Sequence, residues 1–408
     1  MAEQTREACI KVRSRPPPLD AEELLVTALV RAKGLDFGEC SFRESLQRLI
    51  ASCNAEGDLN TLGVRAVRFE VLRSLKNLLR LEQHERNTPS LLHRSLERPL
   101  FITGMPRSGS TFLHRLLVQD PSTAAPLSWQ LVYPYPSPPG GFGASFNRAC
   151  VQGQLYLMRR LAPQLDALHH IGAREPEECT DITAQVFQSQ RYDTLYCVPS
   201  YQSWLQRHGY LDAYRFHRRF IQHLDAQLPG RRWIFKSPDH IFALEDIRAV
   251  YPDARWVFIH RDPVAVLGSV AKLTEVLRRP FAHRVDLEEI GRQVCASWFD
   301  GAQRMMRAAT DMDPILHVHY QEILADPLRV VERIFAHWGH ILSPTAAQRM
   351  RAWVENRRNR AHRPRDYNLA TFALDPAALR AQFASYTTAF DVELERRRNG
   401  RSPGSNGR

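Results

Sequence analysis

The chain has 408 residues, 44% of them hydrophobic, which is ordinary for a globular protein and enough for one large α/β domain with a helical addition, or for two domains. Its formal net charge of +11, from 55 Lys and Arg against 44 Asp and Glu, suits an acidic small ligand, a nucleic acid or an anionic membrane. The basic residues are spread out without interleaved aromatics, and no apolar run approaches the ~20 residues of a membrane span, so nucleic-acid binding and membrane insertion are both disfavoured.

Neither end of the chain has the pattern of a folded core. Residues 1–18 are polar and finish in three prolines, and residues 393–408 are basic, so both segments are predicted to be disordered. The first segment carries acidic residues and makes a poor signal peptide. The seven scattered cysteines, an odd number without a C-x-x-C pair, indicate reduced thiols and a cytoplasmic setting.

A helical preface is predicted over residues 19–94. Asp20 precedes two acidic residues and an apolar run with helical spacing, the pattern of a capped helix start. Two further helical patterns follow at about Ser41–Ser52 and Leu62–Gln83, and no strand signal interrupts them. The preface carries no combination of residues that suggests chemistry, so we expect it to pack on the core or to shape a pocket.

A stretch that begins near position 100 holds the strongest signal in the chain. A short apolar run leads into a turn of small residues and then into an amphipathic helix, the layout of a strand, a phosphate loop and a helix. Gly104 and Gly109 have the spacing of a Walker A loop, and Thr111 fills its last hydroxyl position. Ser110 stands where a nucleotidase has lysine, and Arg107 supplies a cation within the loop instead.

A proline-rich stretch follows the loop, and a helical insertion is predicted after it, at about residues 145–228. The first stretch, residues 129–141, has too many prolines and glycines for a regular element and is interpreted as a substrate wall or as a surface connection. Within the insertion, Pro176 precedes Glu177 and Glu178, which suits the first turn of a helix. Glu178 is a candidate general base; the alternative is that it only complements the helix dipole.

A lysine at the end of a second strand pattern is the next candidate. Residues 232–236 are largely apolar and end in Lys236, one of only five lysines in the chain. In open α/β sheets, ligands bind at the carboxyl edge of the strands, so a functional Lys236 is favoured over a lysine that only extends to solvent. His240 follows one turn later, at the same edge of the predicted sheet.

A third strand pattern, residues 254–260, leads to Arg261 at the same kind of position. Ser269 follows about two turns into the next helix, where the two side chains can converge on one phosphate. Asp262 resembles a Walker B metal ligand, but an Asp N-cap with Pro263 at the first helical position is the favoured interpretation. The sequence has no metal-ligand spacing such as H-E-x-x-H, and no metal is expected.

A fourth strand pattern, residues 314–320, completes the fold prediction. A helical pattern follows it at Asp326–Gly339. Four strand–helix repeats predict an α/β fold with a P-loop nucleotide-hydrolase-like parallel sheet that is flanked by helices on both faces. An Arg-rich segment, residues 356–367, is interpreted either as a closure over an anionic ligand or as a solvated loop.

The candidate residues together describe a nucleotide-binding site. The loop without lysine, Lys236 and the Arg261–Ser269 pair suit a nucleotide with one phosphoryl-type end at the loop and a second phosphate several ångströms away. Phosphoryl transfer usually uses Mg²⁺ to neutralise a triphosphate. A sulfonate donor carries less charge, so Arg, Lys and loop amides suffice for it. A P-loop kinase is the disfavoured alternative, and a non-catalytic nucleotide-binding protein on the same fold is the other.

With these motifs in place, the chain resembles the sulfotransferases that use 3′-phosphoadenosine 5′-phosphosulfate. It is most similar to the large bacterial branch whose loop reads P-R-S-G-[ST]-T, which is closer to tyrosylprotein sulfotransferases than to cytosolic phenol sulfotransferases. The resemblance implies a single sulfotransferase domain over residues 95–392. The stretches that carry it are Thr103–Leu117, Pro176–Cys179, Trp233–His240, Phe258–Ser269 and His319–Pro327.

The resemblance also implies a role for each matching residue. The 5′-phosphosulfate of the donor would be bound by Arg107, Ser108, Gly109, Ser110 and Thr111. The 3′-phosphate would be bound by Arg261 and Ser269, and Tyr320 would lie near the nucleotide. Lys236 would stabilise charge on the bridging oxygen or on the sulfonate during transfer. The expected reaction is in-line transfer of SO₃ to an acceptor hydroxyl, which leaves adenosine 3′,5′-bisphosphate.

The chain departs from the family pattern at the position of a natural general base. Relatives often carry Glu after the Trp of the first substrate loop, and here the residue is Gln130. Glu178, His240 or another His is therefore expected to take the proton, or the acceptor is acidic enough to need little help, as a phenol is. The Arg-rich segment also has Arg363 where many relatives have Gly, which alters the expected closure over the nucleotide.

A small hydroxylated molecule is the expected acceptor: a phenol, an alcohol or a lipid-like metabolite. The helical insertion and the Tyr/Pro-rich loop favour a roomy pocket with apolar walls. No nucleic acid is expected as a partner, and no stable membrane insertion is expected. The sequence leaves the oligomeric state open, with a homodimer as one option.

Overall fold

The computed structural model describes residues 17–38, 41–134, 142–312, 314–358 and 367–395, and within these ranges five parallel strands form one sheet. The strands are β1 (Leu100–Gly104), β2 (Thr123–Ala124), β3 (Arg232–Lys236), β4 (Arg255–His260) and β5 (Ile315–His319). They lie in the sheet in the order β2-β3-β1-β4-β5. Four of them coincide with the strand patterns of the sequence. The edge strand β2 was missed because two residues are too few to show a period.

Helices precede the first strand, connect successive strands and follow the last strand along the chain. The α-helices are α1 (Ala21–Ala32), α2 (Arg43–Glu56), α3 (Thr61–Asn87), α4 (Ser110–Leu117), α5 (Ser128–Val132), α6 (Phe142–Leu161), α7 (Leu165–Leu168), α8 (Thr180–Thr183), α9 (Arg191–Leu195), α10 (Pro199–His208), α11 (Leu211–Asp225), α12 (Leu244–Val250), α13 (Pro263–Arg278), α14 (Leu287–Asp311), α15 (Tyr320–Ala325), α16 (Pro327–Trp338), α17 (Pro344–Arg358), α18 (Pro376–Gln382) and α19 (Ala384–Ala389). The described part of the chain also has 3₁₀ segments at Pro89–His93, Ala184–Val186, Pro238–Ala243 and Leu369–Phe372.

Alternate residues of the central strand serve two separate hydrophobic cores. Leu100 and Ile102 of β1 pack in one core with residues of α4, α16 and α17. Phe101, which points to the opposite face, belongs to the larger core that includes α11–α14 and the preface helices α1–α3. The sheet is therefore buried on both faces, as the predicted α/β fold requires.

Helix caps follow the sequence signals closely. The Asp20 side chain accepts hydrogen bonds from the first turn of α1, and Asp262 accepts one from Val264 N, with Pro263 at the first position of α13. Asp326 caps α16, and Gly339 ends it in the left-handed conformation. The interpretation of Asp262 as a helix cap is thus confirmed. No helix in the described ranges is both long and apolar enough to cross a bilayer.

Three local predictions are wrong. Pro176 does not begin a helix: it forms an isolated antiparallel bridge with Leu127 and precedes α8 by four residues, because the neighbouring amides bond to other parts of the fold. The proline-rich stretch does contain a regular element at its start, the short helix α5. Tyr320 begins α15 and does not end β5. Several predicted segments lie outside the described residues. They are most of the two ends that were predicted to be disordered, residues 135–141 of the proline-rich stretch, and the centre of the Arg-rich segment, which includes Arg363.

The register of the strands brings the candidate residues to one edge. Ile102 of β1 lies opposite Lys236 of β3, and Gly104 lies opposite Ile259 of β4. The phosphate loop, Lys236 and Arg261 therefore all follow the carboxyl ends of three adjacent strands. This is the edge at which open α/β sheets bind ligands.

Candidate active site

The phosphate loop begins with a close backbone approach between two strands. Met105 N donates a hydrogen bond to the Ile259 carbonyl oxygen at 3.1 Å. Gly104 has a φ of +126°, and a Cβ there would lie 2.2 Å from that same oxygen. Only glycine fits this conformation and this spacing, so the first glycine of the loop is required by the contact between β1 and β4.

The loop itself is built from two left-handed residues and one side-chain bond. Arg107 has a φ of +60° and Gly109 a φ of +85°. The Ser108 hydroxyl donates to the Met105 carbonyl oxygen at 2.5 Å. The loop leads directly into α4, whose first amides have no acceptor within the helix and therefore attract an anion.

Lys236 brings a cation from β3 to the phosphate loop. Its side chain is 0% exposed, and its Nζ lies 3.2 Å from the Thr111 hydroxyl and 2.6 Å from Glu178 Oε1. Cys179 N donates to the Lys236 carbonyl oxygen at 3.1 Å, so the segment that carries Glu178 is fixed to the end of β3. The structure thus brings together three residues that are far apart in the sequence.

A second carboxylate supports the first. Glu178 N donates to Glu177 Oε1 at 3.1 Å, and His169 Nε2 lies 3.5 Å from the same oxygen. Burial alone would raise the pKa of Glu177, but the His169 hydrogen bond and the charges of Lys236 and Arg115 lower that pKa well below its usual value. Three ligand-type atoms of His169, Glu177 and Glu178 lie within 4.8 Å of one another. Because Lys236 pairs with Glu178 and His169 lies against Glu177, we interpret the group as an ion-pair network.

Arg261 and Arg107 form a second cationic group at the same sheet edge. Arg107 Nε donates to the Ser269 hydroxyl at 3.1 Å, and Arg261 donates to the Arg107 carbonyl oxygen. The Arg261 guanidinium stacks over the Tyr320 ring at 4.0 Å from its centre. It also donates to both carboxylate oxygens of Glu395, at 2.6 Å and 3.0 Å. Arg107 therefore contacts both Ser269 and Arg261, and Arg261 contacts Tyr320.

His240 lies in the core, away from this group. It is 0% exposed, its Nδ1 is 2.6 Å from the Tyr214 hydroxyl, and its ring meets Phe101 edge-on at 5.0 Å. Burial, reinforced by the charges of His217 and Lys236, lowers the pKa of His240 well below its usual value. The ring is therefore neutral and committed to a core hydrogen bond.

Gln130 has a structural use that explains why an uncharged residue suffices there. Its side-chain oxygen accepts a hydrogen bond from Leu127 N at 3.0 Å at the start of α5. The residue is buried, and α5 is short. Gln130 thus caps a helix, and in the part of the chain that the structure describes its side chain makes no hydrogen bond to Lys236 or to the phosphate loop.

Two residues near the site were not expected from the sequence. Glu395 falls in the segment predicted to be disordered, yet it holds Arg261, and its N–H bonds to Asp262 Oδ2 at 2.9 Å. Asp239 follows Ser237, the cap of the 3₁₀ segment at 238–243, whose side chain accepts from Asp239 N. The Asp239 carboxylate accepts from the Thr180 hydroxyl at 2.9 Å. No local pattern marks either residue, since both act through contacts distant in sequence.

Comparisons with known proteins agree with this architecture. Residues 99–344 match the model of a family described as the sulfotransferase family. The structure of sulfotransferase STF1 from Mycobacterium tuberculosis H37Rv is 30% identical, with a TM-score of 0.80, over 91% of this chain and 100% of that one. Sulfotransferase STF9 from Mycobacterium avium is 28% identical, with a TM-score of 0.79, over 92% and 98% of the two chains. Curated protein sequences give no significant match.

Proposed function

This chain belongs to the sulfotransferase family, and we propose on that basis that it transfers a sulfonate group from 3′-phosphoadenosine 5′-phosphosulfate to a hydroxyl of a small-molecule acceptor. The second product is adenosine 3′,5′-bisphosphate. The observation that carries the proposal is the contact of Lys236 Nζ with the Thr111 hydroxyl, at 3.2 Å. It supplies a cation to a phosphate loop that lacks the lysine of a nucleotidase.

The 5′-phosphosulfate is assigned to the phosphate loop. The residues that would bind it are Arg107, Ser108, Gly109, Ser110 and Thr111. The left-handed conformations within the loop and the start of α4 support this assignment, because both arrange backbone amides around a concave anion site. A sulfonate has fewer charges than a triphosphate terminus, which suits a loop with one arginine and a neighbouring lysine.

The 3′-phosphate is assigned to Arg261 and Ser269. Arg261 already binds a two-oxygen anion, the Glu395 carboxylate, through two hydrogen bonds. A phosphate offers the same paired oxygens, so it can replace that carboxylate on the guanidinium. Tyr320, whose ring stacks on Arg261, would then lie beside the nucleotide.

Transfer proceeds in line, with Lys236 at the bridging oxygen. As the bond between sulfur and the 5′-phosphate oxygen lengthens, negative charge gathers on that oxygen, and an enclosed ammonium group stabilises it. Glu178 holds Lys236 in place through the 2.6 Å ion pair. Of the candidate general bases, Glu178 touches this centre, whereas His240 is committed to Tyr214.

The cytoplasm is the proposed location of this activity. The described cysteines Cys53, Cys150, Cys179, Cys197 and Cys295 are all free. Burial raises the pKa of Cys53 and of Cys179, which keeps both as unreactive thiols.

Two measurements on the purified chain test the proposal. We expect calorimetry to show binding of adenosine 3′,5′-bisphosphate, and we expect transfer of radiolabelled sulfonate from the donor to members of an alcohol and phenol panel. Arg261→Ala should weaken binding of the bisphosphate far more than binding of adenosine 5′-phosphate, which lacks the 3′-phosphate. Mg²⁺-dependent ATP turnover would point to a kinase. Tight binding of the bisphosphate with no transfer to any acceptor would point to a non-catalytic binding protein.

A further inference from the structure

His169 lies at the transfer centre, next to the ion pair of Lys236 and Glu178. Ligand-type atoms of His169, Glu177 and Glu178 lie within 4.8 Å of one another. Glu178 Oε1 in turn lies 2.6 Å from Lys236 Nζ, which contacts the Thr111 hydroxyl of the phosphate loop at 3.2 Å. The Glu178 carboxylate is therefore close both to the His169 ring and to the ammonium group assigned to the bridging oxygen.

This spacing lets the His169 ring reach an acceptor hydroxyl at the sulfonate. In a reactive complex the acceptor oxygen lies about 3 Å from the base and about 3–3.5 Å from the sulfur, so base and sulfur are roughly 6 Å apart. A sulfonate held by Lys236 and the phosphate loop meets this condition, because the Glu178 carboxylate lies 2.6 Å from Lys236 Nζ and within 4.8 Å of His169.

The His169 ring is also able to exchange protons with solvent. Its side chain is 18% exposed, whereas His240 is fully buried and bonded to Tyr214. Among the described residues, Nδ1 of His169 makes no hydrogen bond, and only Nε2 has a partner, at Glu177. One ring nitrogen therefore remains available to a substrate.

Glu177 has the properties of a carboxylate that positions an imidazole. Its Oε1 lies 3.5 Å from His169 Nε2, and hydrogen bonds of this kind are often long before substrate binds. Its Oε2 is buried and has no hydrogen-bond partner in the described ranges, so the carboxylate can accept a further bond from an imidazolium. The pKa of Glu177 is well below its usual value, which keeps the carboxylate ionised.

On the basis of the proposed sulfotransfer, we infer that His169 is the general base, that Glu177 positions it, and that Glu178 holds Lys236. Nε2–H donates to Glu177, so the lone pair that takes the acceptor proton is on Nδ1. A carboxylate in this position fixes the tautomer of the ring and stabilises the imidazolium that forms.

Glu178 is less suited to take the proton. Its carboxylate balances an ammonium group that is 0% exposed, and a proton on Glu178 would leave that buried charge without its partner. A neutral imidazole accepts a proton without breaking this ion pair. The new positive charge then lies beside Glu177, which is ionised and has a free oxygen.

The proton and the electron pairs balance in one step. The acceptor oxygen forms a bond to sulfur while the bond between sulfur and the bridging oxygen breaks. The hydroxyl proton passes to Nδ1 of His169. The electron pair of the broken bond stays on the 5′-phosphate of the departing bisphosphate, next to Lys236, and the imidazolium later releases its proton to solvent.

Acceptors of similar size and different acidity test the role of His169. The best acceptor of the alcohol and phenol panel is compared with its fluorinated analogue, for example phenol with pentafluorophenol or ethanol with 2,2,2-trifluoroethanol. We expect His169→Ala to slow single-turnover transfer to the weaker acid by about 100-fold or more, and to the fluorinated acceptor by at most about tenfold. The ratio of the two rates is independent of the folded fraction. His169→Gln, which better preserves the volume, should show the same ratio.

Added imidazole provides a second readout that a structural role of His169 would not affect. We expect it to raise the rate of His169→Ala at least about tenfold, in proportion to the concentration of neutral imidazole, because the free base replaces the missing ring. Imidazole should not change the rate of Lys236→Ala, which lacks a different group. An equal loss for both acceptors in His169→Ala, or no response to imidazole, would overturn the inference.

Three further variants separate the carboxylates and provide a control. Glu177→Gln should give a weaker loss with the same preference for the more acidic acceptor, since it acts through His169. Glu178→Gln should slow both acceptors equally, because it disturbs Lys236 and the leaving group. His170→Gln, an exposed neighbour bonded to Asp166, should change neither rate. An acidity-dependent loss in Glu178→Gln and not in His169→Ala would identify Glu178 as the base instead. No transfer from the donor to any acceptor by the wild-type chain would count against the proposed function.

Discussion

At the scale of single residues, Lys236 combines complete burial with a positive charge. A buried ammonium is tolerated only when a carboxylate and hydrogen-bond acceptors surround it, and Glu178 and the Thr111 hydroxyl fill those roles. The sequence identified Lys236 from its position at a strand end. It could not identify the ion pair, since Glu178 comes from a segment 58 residues away that folds differently from its local helical pattern.

Removal of this ammonium should affect transfer and not nucleotide binding. We expect Lys236→Ala to lower the single-turnover rate of sulfonate transfer by about 100- to 1,000-fold, because charge on the bridging oxygen loses its partner. The dissociation constant for adenosine 3′,5′-bisphosphate should change little, as Arg261 and the loop remain. Lys272→Ala, which removes a surface lysine paired with Glu275, is the control. A Lys236→Ala rate equal to wild type would refute the assigned role.

Asp239 should also leave a signature in the pH dependence of stability. Its pKa is about 7 in the folded chain, above the ordinary 3.8. Between these values the unfolded chain has lost the proton while the folded chain keeps it, so the free energy of unfolding falls as the pH rises. Asp239→Asn lacks this proton, and its Tm relative to wild type should increase from about pH 4 to about pH 8. A difference in Tm that stays constant over that range would show that the carboxyl titrates normally.

At the scale of elements, the contact between β1 and β4 decides which residue can occupy the first position of the phosphate loop. We expect Gly104→Ala to lower the free energy of unfolding by about 3 kcal/mol, because the methyl group would overlap the Ile259 carbonyl at an unfavourable φ. Gly153→Ala is a matched control: nothing lies within 4 Å of a Cβ there, and helix α6 should gain about 0.5–1 kcal/mol. Urea denaturation measures both. Equal effects of the two changes would contradict the tight strand contact.

The elements that the sequence predicted correctly are those with signals within a few residues. Asp262 with Pro263, and Asp326 with Gly339, mark helix ends by local hydrogen bonds and backbone preference, so the pattern and the structure agree. Pro176 shows the limit of such signals. Its neighbours Glu177 and Cys179 donate their amides to Pro126 and to Lys236, and these distant partners outweigh the local preference for a helix.

At the scale of the whole molecule, the end of the described chain returns to the centre of the sheet edge. Glu395 lies 134 residues from Arg261 in sequence, and no periodic or capping signal marks it. Four of the strands and the phosphate loop were predictable from local patterns. The contact of Glu395 with Arg261, at the predicted 3′-phosphate site, could not be predicted from such patterns.

The Glu395–Arg261 pair should compete with the nucleotide. We expect Glu395→Gln to tighten binding of adenosine 3′,5′-bisphosphate by about 1 kcal/mol, or roughly fivefold, because Arg261 no longer has to exchange one anion for another. Binding of adenosine 5′-phosphate should not change, since it has no 3′-phosphate. Glu393→Gln, an exposed neighbour, serves as the control in the same titration. Unchanged affinity for the bisphosphate in Glu395→Gln would show that the two anions do not share Arg261.

The same pair bears on how fast the spent nucleotide leaves. A carboxylate tethered beside Arg261 is present at high effective concentration, so it can take the guanidinium as soon as the 3′-phosphate loosens. The residence time of the bisphosphate is thereby shortened, and release is less able to limit steady-state turnover. In Glu395→Gln the product would linger, and rapid-quench experiments should reveal a burst of sulfated acceptor that is smaller or absent in the wild-type chain.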